Sequence, residues 1–362
     1  ATASSLRAAA SSSAHASMPC FAYVGSAEGY ITVFATGSKT WKQIQMIVTA
    51  QPSSLVLHPN RDVLYVVNEI ELFEHLPSGS VEAYTIRKDG HLSLLNRQPL
   101  SLSAVAPRHA AISPDGRTLV VSVHGGGAYN VLPIRTDGSL ARVSAILKET
   151  GFGPDKAYQR TAHPQMVLFD NMGRVLSADM GNDCLSIFRL EKGRISILGR
   201  SRIHAGSGPR QMELHPDGHL LFVANALESS VVSYRYDSWN GRILEPLHRV
   251  SWSPSGNDAE APTRMTMHPS GDFLYTASNL PDQAVTTWRI NTANGSLSPI
   301  HKEWIEDSIH TLMLTPDDNS LLALSRSAGA VTRWQIDAEG RPQNSIQAAI
   351  LSQPISMAMK YA

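Results

Sequence analysis

A short phrase recurs along this chain: His58-Pro59-Asn60, Ser113-Pro114-Asp115-Gly116, His215-Pro216-Asp217-Gly218, His268-Pro269-Ser270-Gly271 and Thr315-Pro316-Asp317-Asp318, with a weaker copy at Asp170-Asn171-Met172-Gly173. Proline presets φ at the first turn position, Asp or Ser bonds back to the backbone, and Gly accepts positive φ. Each phrase therefore reads as a tight turn between two strands. The turn residue falls at 59, 114, 171, 216, 269 and 316, with spacings of 55, 57, 45, 53 and 47, as in repeats with surface loops of variable length.

Each copy has the same content. Ser54-Leu55-Val56-Leu57 precedes the first turn, Val63-Leu64-Tyr65-Val66-Val67-Asn68 follows it, and Gly79 to Ile86 alternates at period two. Lys88-Asp89-Gly90 then turns into His91 to Leu95. These are four short strands separated by turn chemistry, and no segment carries a convincing helical period. Four-stranded units repeated along a chain are the sequence form of a β-propeller. Six full copies begin at residues 52, 107, 164, 209, 262 and 309. A seventh is split: Pro354–Tyr361 reads as a first strand without a successor, and Phe21–Gly25 as a second strand without a predecessor. The expected fold is all-β, one seven-bladed β-propeller over residues 19–362, its ring closed by the C-terminal strand joining the N-terminal blade. Closure removes the open edge of an unclosed array.

Composition narrows the function. A chain of 362 residues exceeds what one ordinary core fills, and no Pro/Ser-rich linker interrupts the repeats to make two domains. The 31 basic and 31 acidic residues cancel, which argues against nucleic-acid binding by bulk charge and against a polybasic membrane binder. No stretch approaches the ~18 consecutive apolar residues of a membrane span. Cys20 and Cys184 have no metal-ligand spacing and read as buried small hydrophobes. Residues 1–17 hold seven Ala and six Ser; such a segment buries too little to order itself, so residues 1–18 are expected to form a disordered tail or the remnant of a targeting segment. Ala14-His15-Ala16 fits a signal-peptidase site, but no apolar stretch precedes it. A soluble protein is expected, with the cytoplasm favoured over the periplasm.

In a propeller the first strand of each blade lines the central channel. Seven residues before the turn residue stand Pro52, Pro107, Pro164, Pro209, Pro262 and, in the C-terminal strand, Pro354, with Ile309 the exception. At minus six stand Ser53, Arg108, Gln165, Arg210, Thr263, His310 and Ile355; at minus five stand Ser54, His109, Met166, Gln211, Arg264, Thr311 and Ser356. These columns hold three Arg, two His and no acid, so a neutral chain is expected to carry a cationic channel mouth. Low-dielectric walls focus that potential on an anion such as a carboxylate or phosphate. Ten residues after the turn, Glu69 can balance the cations or act as a base, and His124 precedes a Gly run that lacks the Lys-Ser/Thr of a phosphate cradle. No HxH, HExxH or GxSxG occurs. Trp288 and Trp334 read as packing between blades.

The set GSGPR (206–210) followed by His215-Pro216-Asp217-Gly218, LPIRTDGSL (132–140), Asn68-Glu69 and AYQRTAHPQMVLFD (157–170) resembles the lactonase-type seven-bladed propellers, which include bacterial 6-phosphogluconolactonase and fungal carboxymuconate lactonizing enzyme. The resemblance covers about residues 19–362. It implies a small anionic ligand, a phosphosugar or carboxylated lactone, at the channel mouth, with no metal or organic cofactor. Residue by residue, the family's mouth Arg matches Arg210, its His of the second full copy His109, and its acid Glu69. The family's catalytic His falls on Gln165, the His after its GPR motif on Gln211, a Glu on Ala226, and an Arg near Asn279 or Leu280. The expected reaction is hydrolysis of a 6-phosphogluconolactone-like sugar lactone: Arg210, with Arg108 or Arg264, binds the anion and stabilises the oxyanion, and His163 or His109 activates water. Gln165, Gln211, Glu69 and His310 complete the expected binding site. Two other readings stay open: a non-catalytic propeller that binds an anion or a protein partner, and a lactonizing cyclase.

Overall fold

Twenty-eight strands form seven four-stranded antiparallel sheets in a computed structural model that describes residues 20–251, 264–278, 283–305 and 307–361. The expected tail at residues 1–18, and Pro262, Thr263, Asn279 and Leu280, lie outside the described residues. Numbering blades from the N-terminus, blade 1 comprises Cys20–Ser26, Tyr30–Ala35 and Lys42–Val48, with Pro354–Tyr361 as its innermost strand. That closing strand pairs antiparallel with Cys20–Ser26, Phe21 opposite Lys360 and Val24 opposite Met357. The ring therefore closes as the split seventh copy requires. Blades 2 to 7 take the six full copies in order.

The strand patterns follow from where each strand sits. Second strands such as Val63–Asn68, Leu220–Asn225 and Phe273–Ser278 are buried along their whole length, because both sheet faces meet a neighbouring blade, and they read as near-continuous apolar runs. Outermost strands such as Arg194–Arg202 alternate between exposed and half-buried. The apolar cores therefore lie between blades: Leu176 and Leu185 of blade 4 pack with Met212, Leu221 and Val223 of blade 5. Trp288 and Trp334 are buried in two of these inter-blade clusters.

Recurring polar bonds set the blade spacing. Tyr23, Tyr65 and Tyr275 each donate their hydroxyl to a turn glycine carbonyl of the next blade, at Gly90 (3.2 Å), Gly138 (2.8 Å) and Gly340 (2.9 Å). The turn histidines act likewise: Nε2–H of His58 donates to Gly116 O (2.9 Å) and that of His215 to Gly271 O (3.0 Å), while Nδ1 of each accepts an N–H of its own turn. Both cysteines are free thiols; Cys184 is buried, and Cys20 is half-buried rather than buried as its sequence context suggests. Among the described residues there is no helix, hence none long and apolar enough to cross a membrane.

Candidate active site at the channel mouth

The two columns reach one cavity because of a repeated backbone irregularity. In six blades the pairing of the innermost strand with the second strand slips by one residue at the minus-six position, for example between Pro107 and His109 and between Pro209 and Gln211. A β-bulge sets two residues against one and re-aims side chains, so minus six and minus five both present to the mouth. Arg108, His109, Gln165, Arg210, Gln211, Arg264, His310 and Glu69 line a single cavity of about 400 Å³, with Arg326 and Ser356 beside them. His163 is not part of that lining.

Arg210 is delivered by the loop before it. The Asp183 carboxylate accepts the N–H of Gly206 (2.7 Å) and of Gly208 (2.8 Å). Gly208 holds φ +63°, and a side chain there would collide with Leu227, so only glycine turns the chain into Pro209-Arg210. Once delivered, the Arg210 guanidinium makes no ion pair among the described residues; burial, then Arg108, lower its pKa to about 10, with Glu69 pulling the other way. Arg264 Nε is buried without a hydrogen-bond partner, and burial, then Arg210 and Arg108, push its pKa well down. A guanidinium does not give up its proton in a protein, so both directions express an unmet demand for a negative partner. Arg108 is different: its Nε donates to Glu69 Oε1 at 3.0 Å. Burial raises the Glu69 pKa, and Arg108 pulls it back down. Four lining arginines thus face one lining carboxylate.

The imidazoles divide by tautomer. His109 Nδ1 accepts the Val167 N–H at 3.5 Å, so its proton sits on Nε2; burial, then Arg264, lowers its pKa to about 4. His310 is the reverse, with Nδ1–H donating to Ile355 O at 2.9 Å. His163 donates Nδ1–H to His124 O (3.1 Å) and stacks on the His124 ring, centroids 4.5 Å apart. Its backbone N–H is held by Asp179 (2.7 Å), which also takes the Gly181 N–H (2.9 Å). This fixes the His163 loop against blade 4.

The glutamines are clamps. Gln211 grips the Met265 backbone of the next blade at both ends of its amide, Nε2 to O at 2.5 Å and Oε1 from N–H at 3.1 Å. Gln165 Nε2 donates to His124 Nδ1 at 2.7 Å. Ala226, where the family resemblance expects an acid, is buried. Among the described residues no group of three or more His, Cys, Asp or Glu is placed to hold a metal ion.

Glu213 is a further channel group that the column count passed over. It stands two residues beyond Gln211 on the same strand face, at minus three, where the other blades carry Val56, Ala111, Leu168, Thr266, Met313 and Ala358. A lone acid in that column was the available signal. Burial raises its carboxyl from an ordinary value near 4.5 to about 8, against a small opposing pull from Gln211. The folded state therefore holds this proton more tightly than the unfolded chain, and wild-type stability falls as pH rises from about 5 to about 8. Glu213→Gln removes that component, on the order of 1–4 kcal/mol at about 1.4 kcal/mol per pKa unit. Urea unfolding of both proteins at pH 5.5 and 8.5 measures it; identical pH dependence in the two would mean that Glu213 titrates normally.

The family model described as lactonase, seven-bladed β-propeller, matches residues 21–359. The chain is 23% identical over 295 residues to a 6-phosphogluconolactonase of Bacillus subtilis, covering 80% of this chain and 81% of that one. It is 26% identical over 317 residues to a 6-phosphogluconolactonase of Formosa agariphila, covering 85% and 88%. The periplasmic gluconolactonase of Pseudomonas aeruginosa superposes with a TM-score of 0.84 at 21% identity, over 95% of this chain and 99% of that chain.

Proposed function

We propose that this chain, which belongs to the lactonase family of seven-bladed β-propellers, hydrolyses an anionic sugar lactone at the mouth of its channel. The observation that carries this reading is the pair Arg210 and Arg264, cations in the cavity wall that form no ion pair of their own among the described residues and share with Arg108 a single lining carboxylate, Glu69. Such groups are retained where a ligand completes them. A cavity of about 400 Å³ suits a phosphosugar, since small-molecule sites run from roughly 300 to 1,000 Å³. The names of the curated relatives supply the reaction class and point to a phosphorylated gluconolactone.

In this reading Arg210 and Arg264 hold the anionic substituent, and Arg108, steadied by Glu69, flanks them. His109 offers Nε2–H to the lactone carbonyl, where a fixed donor gains strength as negative charge develops. His163, an expected base from its place in the sequence, is left out because it does not line the cavity. The test is the opening of 6-phosphoglucono-δ-lactone and of glucono-δ-lactone against the spontaneous rate. The expected result is acceleration of both, with kcat/KM at least about tenfold higher for the phosphorylated lactone, since a charge-assisted contact contributes roughly 1.5–3 kcal/mol. Binding of 6-phosphogluconate without any acceleration would overturn the hydrolase and leave an anion-binding propeller.

A further inference from the structure

We propose that His310 is the general base of this site, its Nε2 taking the proton of the attacking water while its Nδ1–H is anchored on the Ile355 carbonyl. The inference rests on the lactonase reading above. A carbonyl oxygen only accepts, so the 2.9 Å contact from His310 Nδ1 to Ile355 O places the proton on Nδ1. Nε2 then carries a lone pair, has no partner among the described residues, and belongs to a side chain that lines the cavity. The competing imidazoles fail on geometry. His109 has its Nδ1 lone pair turned to the Val167 N–H and shows the cavity a proton. His163 and His124 stack on one another and line no part of it. His310 is thus the one cavity-lining imidazole among the described residues with an acceptor nitrogen to offer.

The surroundings of His310 give this base a selectivity of its own. Facing it are Arg264 of blade 6, Arg210 of blade 5 and Arg326 at the end of the second strand of its own blade; blade 1 contributes the Ile355 carbonyl. No carboxylate is among these neighbours. Burial, then Arg264 and Arg210, depress its pKa to about 3, so the free site keeps the lone pair at neutral pH but makes it a weak acceptor. An anionic substrate seated on Arg210 and Arg264 cancels the part of that depression which the two arginines cause, while the part due to burial stays. The base is therefore stronger in the complex with an anion than in the complex with a neutral lactone. Discrimination then appears in kcat as well as in KM.

The step balances without a further reactant. Water gives one proton to Nε2 as its oxygen bonds to the lactone carbonyl carbon, and the carbonyl π pair moves to an oxygen held by His109 Nε2–H. The tetrahedral adduct collapses, the bond from carbon to ring oxygen breaks, and the ring oxygen takes the proton back from Nε2. The product is the hydroxy acid, which loses its carboxyl proton to solvent.

The deciding variant is His310→Asn. Its amide nitrogen stands close to the place of Nδ1 and keeps the bond to Ile355 O, but nothing replaces Nε2. With 6-phosphoglucono-δ-lactone the expected result is a fall in kcat of about 10²–10⁴-fold, with KM within about threefold and unchanged melting. In the wild type the acid limb of kcat lies at least about one pH unit above that of kcat/KM, because kcat reports the complex and kcat/KM the free enzyme. In 15N-labelled wild type, 6-phosphogluconate raises the His310 ring pKa without any turnover. A kcat in His310→Asn within threefold of wild type overturns His310 as the base, and a ring pKa indifferent to 6-phosphogluconate overturns its coupling to the anion. A wild type that opens no lactone overturns the proposed function itself, and the role of His310 with it.

Discussion

Arg210→Ala weakens the binding of 6-phosphogluconate by about 10–150-fold, whereas Arg235→Ala leaves it unchanged. One charge-assisted guanidinium contact contributes roughly 1.5–3 kcal/mol, and each ~1.4 kcal/mol is a factor of ten in the dissociation constant. Arg235 is the matched control: it has the same side chain on the third strand of the same blade, exposed and paired with Glu245 at 3.1 Å. The same substitution should move stability the other way. Arg210 forms no ion pair among the described residues and shares its surroundings with Arg108 and Arg264, against the one carboxylate of Glu69, so removing it relieves like-charge repulsion and the burial of an incompletely compensated charge. A gain of about 0.5–2 kcal/mol is the usual yield when such a functional strain is released. Calorimetric titration with 6-phosphogluconate and urea unfolding read the two effects separately. Equal loss of binding in the Arg210 and Arg235 variants would move the site away from the mouth. A destabilised Arg210→Ala would make the arginine a structural group.

The architecture was legible because the information for it is local. Each Pro-Asp/Ser-Gly turn fixes a hairpin within a few residues, and the leftover strand Pro354–Tyr361 has only one place to go. The cationic mouth was legible for a related reason. The Pro column marks a bulge that recurs at one register, so counting from the turn brings Arg108 and Arg210 to one level, and Arg264 of blade 6 lines the same cavity. What the columns do not contain is the direction of a side chain between blades. Gln211 occupies a mouth position but spends its amide on Met265; that depends on the distance to the next blade, which no single repeat encodes. His163 lies two residues from Gln165, yet the Asp179 carboxylate and the close approach of Gly181 to the Thr161 backbone hold its loop aside. Arg108 and Glu69 are 39 residues apart and meet only because consecutive blades bring the start of one innermost strand beside the end of the preceding second strand. The tautomers of His109 and His310 follow from single backbone contacts to Val167 and Ile355. Both partners come from a different blade, so chemistry that separates a donor from a base was out of reach of the sequence alone.

Deletion of residues 354–362 has the largest expected effect on the molecule: loss of the monomer to aggregation. In an open array of repeats, trimming an end shortens the structure and leaves the rest standing. Here the strand is internal to a ring. Met357 and Met359 pack with Ala22, Val24, Leu322, Leu324 and Val331, joining blade 1 to blade 7, and Ile355 is buried beside them. At roughly 1.5–3 kcal/mol for each fully buried side chain of this size, these three carry about 5–9 kcal/mol, which is comparable with the ~5–15 kcal/mol that holds a typical domain folded. Removing the strand also bares the edge of Cys20–Ser26, a row of unpaired N–H and C=O groups that templates pairing with other chains. Size-exclusion chromatography with light scattering, together with thermal unfolding, checks the outcome. A truncated protein that stays monomeric and melts within about 2 °C of the parent would mean that the ring does not depend on its closing strand. A synthetic peptide of residues 354–361 added during refolding should restore part of the monomer, because the strand is held by hydrogen bonds and burial rather than by its covalent link to Gln353.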